Sequence, residues 1–152
     1  MRRPHLPRPT WRHLWLVPGL AIAVYANGQS GLHGLGLAPV LIFGIVPHLP
    51  VLLGRGQPHA PGQLARRAVP LFNAMHHPAV PLALLALAAT GALSPFWLVG
   101  AIAWLSHIVV DWALGDGLRS ADGYRLERSI WAGRPFALRA NGQRAMGGQA
   151  RP

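Results

Sequence analysis

Five polar side chains stand inside or at the ends of long apolar stretches, where a polar group is costly and each is a functional hypothesis by default: His48, Asn73, His76, His107 and Asp111. His107 and Asp111 are four residues apart in PFWLVGAIAWLSHIVVDWAL and so share one face of a helix. Asn73 and His76, or its neighbour His77, have the equivalent spacing in FNAMHHPAVP. His48 sits in Pro47-His48-Leu49-Pro50, a sequence that breaks a helix and leaves an imidazole at the break. Three imidazoles and a carboxylate with an amide beside them are a competent donor set for a divalent ion such as zinc, manganese or iron, with a position left for water. Such an ion lowers the pKa of its bound water to about 7 and makes it a nucleophile. At a membrane surface the chemistry would be metal-dependent hydrolysis of a lipid-like or amphipathic substrate. Thiolate ligands and disulfides are excluded, because the chain has no cysteine.

The same residues fit two other readings. Histidine and asparagine hydrogen-bond across membrane helices as packing glue, which would make the protein a non-catalytic membrane scaffold in which His107 merely orients on Asp111. A proton or ion path is the third. The sequence has no phosphate-cradling glycine loop, no Ser-His-Asp set with a recognisable elbow and no internal repeat. His5, His13, His33 and His59 lie in arms or loops, and Gly115-Asp116-Gly117 reads as an ordinary helix stop.

The elements that must position these residues follow from hydropathy. At 51% hydrophobic and 12% charged residues, the chain suits a bilayer better than water. The expected fold is all-α, a membrane-embedded bundle of four transmembrane helices. A basic arm, 1–13, carries Arg2, Arg3, Arg8 and Arg12 among Pro4, Pro7 and Pro9. The first span runs from about Thr10 to Ala26, with Pro18 tolerable because neighbouring groups re-satisfy the freed carbonyl. Asn27 to Gly36, NGQSGLHGLG, has turn chemistry and no charge and reads as a short loop. Leu37 to Leu53 forms the second span, Gly54 to Pro70 a polar connection, Asn73 to Leu93 the third span and Pro95 to Leu114 the fourth. The organisation is thus an arm (1–13), a transmembrane domain (14–114) and a basic tail (115–152). Within the tail Ser129 to Leu138 is too short and too charged to cross, and disorder is expected from Asn141.

Arginine placement orients the bundle. The chain has 14 arginines, no lysine, four acids and a net charge of +10. With both termini cytoplasmic, the arm, middle connection and tail hold four, three and seven arginines, and the two external loops hold none. That is the division the positive-inside rule requires, and it places the protein in the inner membrane as a multi-pass protein. The basic excess that would suggest nucleic acid is accounted for by topology, so the partner is the bilayer itself, with anionic lipids available to the arm and tail. A cleaved signal peptide also fits a basic start and a short apolar core. Pro18 and the arginine division argue against it. In this topology the second span ends, the third begins and the fourth ends on the cytoplasmic side, so the five polar positions share one depth and can converge.

LSHIVVDWALGDGLRSADGY resembles the signature of an uncharacterised bacterial integral-membrane family, domain of unknown function 4260. Its pattern is a histidine, three residues, an aspartate, then Leu-Gly-x-Gly-Leu-Lys and an aromatic residue. His107, Asp111, Leu114, Gly115, Gly117, Leu118, Arg119 and Tyr124 supply it here. A second match is the family's aromatic-Asn pair, a histidine three residues on and a later proline, which fall on Phe72, Asn73, His76 and Pro81. The resemblance covers roughly Leu14 to Tyr124 and implies a multi-span membrane protein, with no activity attached. The chain departs from the family at three places. Pro47-His48 stands where the family has Pro-Asp, Trp112 where it has an arginine, and Leu126-Glu127-Arg128 where it has Thr-His-Leu. The first departure exchanges one competent metal ligand for another.

Overall fold

The computed structural model describes residues 11–57 and 60–126. The arm through Thr10 with His5, the loop residue His59, the Ser129 to Leu138 stretch and the disorder expected from Asn141 lie outside the described residues. The described residues are helical and hold no β-strand, only an isolated antiparallel bridge between Arg119 and Arg125.

A 3-10 turn, Trp11–Trp15, leads into helix α1, Leu16–Leu32. Pro18 falls in the first turn of α1, where a missing N–H costs no intrahelical bond. The helix continues six residues beyond Ala26, so most of the segment expected to be a loop is helical. Asn27, Gly28 and Gly31 tolerate helix, and the turn chemistry is concentrated at Gly34 and Gly36, with φ of 65° and 61°. Buried Ser30 closes this turn: its hydroxyl donates to the Gly36 carbonyl, and its own carbonyl accepts from Leu35 N at 2.9 Å.

Helix α2, Ala38–Ile45, passes at Val46 into a nine-residue 3-10 stretch, Val46–Gly54. Pro47 and Pro50 are both buried and three apart, one 3-10 turn, which leaves His48 exposed between them. The third segment begins earlier than Asn73, with a 3-10 turn at Arg66–Ala68 followed by α3, Val69–Met75. It is interrupted at His76 to Pro78 and resumes as α4, Ala79–Ala89. A proline disfavours helical backbone at the residue before it, and Pro78 brings no N–H to continue the ladder. The uninterrupted α5, Pro95–Leu114, has proline at its first position and ends at Gly115 with φ 81°, the left-handed conformation that closes many helices.

Helix α5 is the hub and packs against α1, α2, α4 and the opening turn. The contacts depend on small residues. A Cβ added at Gly100 would fall on the Phe43 ring, and one at Gly19 would come 2.8 Å from Val110 Cγ2. Ser106 Oγ donates to the Gly19 carbonyl at 2.8 Å across the α1–α5 contact. Phe43, Ile102, Trp104 and Ile108 fill the centre, where Phe43 meets Phe96 and Trp97 edge-on at 6.0 and 5.8 Å.

By length and composition two helical segments can cross a membrane, Arg66–Ala89 and Pro95–Leu114. The exterior is apolar as well: Val17, Val24 and Leu32 on α1 are 70%, 74% and 79% exposed, and Leu41, Ile45, Leu82 and Leu87 are exposed on other helices.

Candidate metal centre

His48, His76, His107 and Asp111, from three different segments, each present one donor atom to a common space. The four atoms lie within 4.8 Å of one another. The His76 and His107 Nε2 atoms are 3.2 and 3.3 Å from the same carboxylate oxygen, Asp111 Oδ2. A tetrahedral ion with bonds of about 2.0 to 2.2 Å keeps neighbouring ligand atoms roughly 3.3 to 3.6 Å apart, so these separations are of ligand size. The imidazole rings of His48 and His107 meet edge-on at 4.6 Å between centres, and His48 and His76 are 5.4 Å apart.

The surroundings prepare His76 as a ligand. Its Nδ1 lies 2.9 Å from the Phe72 carbonyl, an acceptor, so Nδ1 carries the proton and Nε2 keeps its lone pair for the centre. The Phe72 ring stacks on the imidazole at 3.9 Å and fixes its plane. The helix break supplies the placement. Met75's carbonyl, left without a helical partner at the interruption, accepts from Trp104 Nε1 at 2.8 Å, which ties α3 to α5 one residue before His76. His77 has a separate task, its Nδ1 accepting from Ala79 N at 3.3 Å at the start of α4. Of the two adjacent histidines, His76 faces the centre.

His76 and Asp111 are buried, His107 is half-buried and His48 is exposed, so the centre has one open side. His76 Nε2, His107 Nε2 and Asp111 Oδ2 are buried and make no hydrogen bond within the described residues. Their nearest polar neighbours are one another, at the ion-pair separations of 3.2 and 3.3 Å, and three such atoms facing one point fit either a protonated imidazole paired with Asp111 or a set that a cation completes.

Asn73 is placed differently. Its Nδ2 donates to the Arg119 carbonyl at 2.8 Å and its Oδ1 accepts from Arg119 N at 2.8 Å. The amide therefore clamps the chain that returns after α5 and stands outside the four-residue cluster. Sequence spacing could not show this, because the partner is 46 residues away and is backbone. Gly115 is followed by Asp116, whose N donates to the Asp111 carbonyl at 2.7 Å and whose carboxylate takes Arg119 at 2.5 Å and Arg125 at 3.2 Å. Arg119 lies over the Phe72 ring at 5.4 Å. Burial pulls its guanidinium below its usual range. Asp116 opposes that shift, Arg125 adds to it and Asp111 opposes it more weakly. Phe72 and Arg119 belong to the motifs read from the sequence, which gave them no role in the site.

Fold and site together define a class, a helical protein with apolar segments and a three-histidine, one-aspartate cluster able to hold a metal ion. No known family profile, curated protein or solved structure matches this chain.

Proposed function

We propose that this is a multi-pass inner-membrane protein of four spans that holds a divalent transition-metal ion at His48, His76, His107 and Asp111, near the cytoplasmic ends of the second to fourth spans. The observation that carries the reading is the convergence of four donor atoms within 4.8 Å, three of them on buried or half-buried residues and with no polar neighbour beyond the cluster itself. Two lines support the membrane setting: the apolar exterior and the segregation of arginine to the arm, middle connection and tail. The resemblance to domain of unknown function 4260 is consistent with it, since the aspartate of that family's second span falls at His48 and would also be a ligand.

With the ion bound, the residues suit hydrolytic chemistry. His76, locked through Nδ1, and His107 with Asp111 would hold the ion, and exposed His48 would stand on the side open to water and substrate. The ion would supply Lewis acidity and an acidified water. The substrate we infer is lipid-like, because the open side lies at the level of the inner leaflet's headgroups in this topology.

The test is metal analysis of protein purified in detergent without chelator. About one zinc, manganese or iron per chain is expected, falling below a tenth in Asp111→Asn and His107→Ala. Metal-free wild type that takes up none of these ions on addition overturns the reading. The scaffold alternative instead predicts that the same substitutions lower thermal stability and leave metal content at background throughout.

A further inference from the structure

Arg119 is nine-tenths buried, and only two of its three guanidinium nitrogens have partners. One terminal nitrogen meets Asp116 at 2.5 Å and the other the Gly62 carbonyl at 3.3 Å. These contacts tie the turn after α5 to the loop around Gly62 and account for a structural role. They leave Nε buried without a partner, an arrangement of unfavourable free energy unless something accepts from it. The carboxylate it uses is shared, since Asp116 also pairs with Arg125 at 3.2 Å. The Arg12 guanidinium lies against Gly115, where an added Cβ would come 2.6 Å from it. Two guanidinium groups, Arg119 and Arg125, thus share the Asp116 carboxylate at the end of α5, with a third, Arg12, beside Gly115.

This site lies beside the candidate metal centre. The Arg119 guanidinium is over one ring, Phe72, that itself stacks on ligand His76. Asn73 holds the Arg119 backbone by two hydrogen bonds, so the side chain starts from a fixed point one helical turn from His76. A guanidinium presents its donors in a plane that matches the oxygens of a phosphoryl group.

We infer that Arg119, with Arg125 beside it on Asp116, binds the phosphate of a phosphoester whose other end reaches the metal centre. The inference rests on the metal reading and names its ligand class. The phosphate comes from a lipid headgroup or from a free phosphoester, the chemistry being common to both.

The experiment uses the full chain in phosphatidylcholine nanodiscs, loaded with manganese, whose unpaired electrons broaden nearby phosphorus resonances. Two probes are compared by phosphorus NMR and calorimetry, dioctanoyl phosphatidic acid and inorganic phosphate. Binding with phosphorus broadening is expected in wild type, weakened at least tenfold in Arg119→Gln with manganese content unchanged. Preference for the lipid probe would assign the phosphate to a headgroup, and equal binding to a free phosphoester. Arg119→Lys, which keeps charge without the fork, should lie between, and the exposed Arg125→Gln should weaken binding a few-fold should Arg119→Gln fail to fold. Manganese uptake with no phosphorus broadening, or with binding equal in wild type and all variants, overturns the inference and leaves the metal reading standing. A wild type that takes up no manganese overturns the metal reading and the inference with it.

Discussion

At the scale of single residues, the centre depends on each imidazole being neutral and correctly turned. His76 has this arranged by Phe72, whose carbonyl takes the Nδ1 proton while its ring holds the imidazole plane. His76→Gln should therefore remove the ion, whereas Phe72→Leu, which keeps the carbonyl and loses the ring, should weaken metal affinity by about 10-fold, the range of supporting contacts around metal ligands. A competition titration with a chromophoric chelator reads both. His48 is exposed and its ring lies within 5.4 Å of the other two imidazoles, so His48→Asp, the residue of the resembled family, should retain the ion where His48→Ala does not.

At the scale of elements, two interruptions make the site. The passage of α2 into 3-10 geometry at Val46 brings His48 to the cluster, and the gap between α3 and α4 turns His76 inward and frees Met75's carbonyl for Trp104. The interruptions need a rigid partner, and α5 supplies it through close approaches at glycine. Gly100→Ala should lower stability by about 1 to 3 kcal/mol, because the new methyl meets the Phe43 ring in a packed contact. Thermal unfolding in detergent, followed by circular dichroism, checks this, and metal content at low temperature should be unaffected. Asn73→Ala should also destabilise by about 1 to 3 kcal/mol, since it leaves the N–H and carbonyl of Arg119 without partners. Loss of affinity for phosphate with retention of the ion is the further expectation for that variant.

At the scale of the whole molecule, the proposal is that the apolar exterior faces lipid and the arginine-rich segments face the cytoplasm. Single cysteines placed at Gly34 and at Gln143 in this cysteine-free chain test it with a membrane-impermeant maleimide on intact cells. Labelling at 34 and none at 143 is expected. A labelled 143 would overturn the orientation, and extraction of the protein by alkaline carbonate would overturn membrane insertion itself.

The sequence by itself determined the helical class, the two long apolar segments and the four residues of the candidate cluster, named among five. Hydropathy and the i, i+4 relation of His107 and Asp111 are local properties, written along one helix. Proline marked the break at Pro47 to Pro50 for the same reason, since it acts on its own and the preceding residue, whereas the break before Pro78 fell inside a segment expected to be one span. Tertiary structure decided the rest. It extended α1 through NGQSGL, because packing and the Ser30 contact to Gly36 outweighed weak local turn preferences. It chose His76 over His77, which spacing allowed equally, and drew Asn73 away to the Arg119 backbone. It also brought Arg119 over Phe72, beside the ligands. The placements of Asn73 and Arg119 depend on contacts between residues tens of positions apart, whose geometry exists only once the helices have packed.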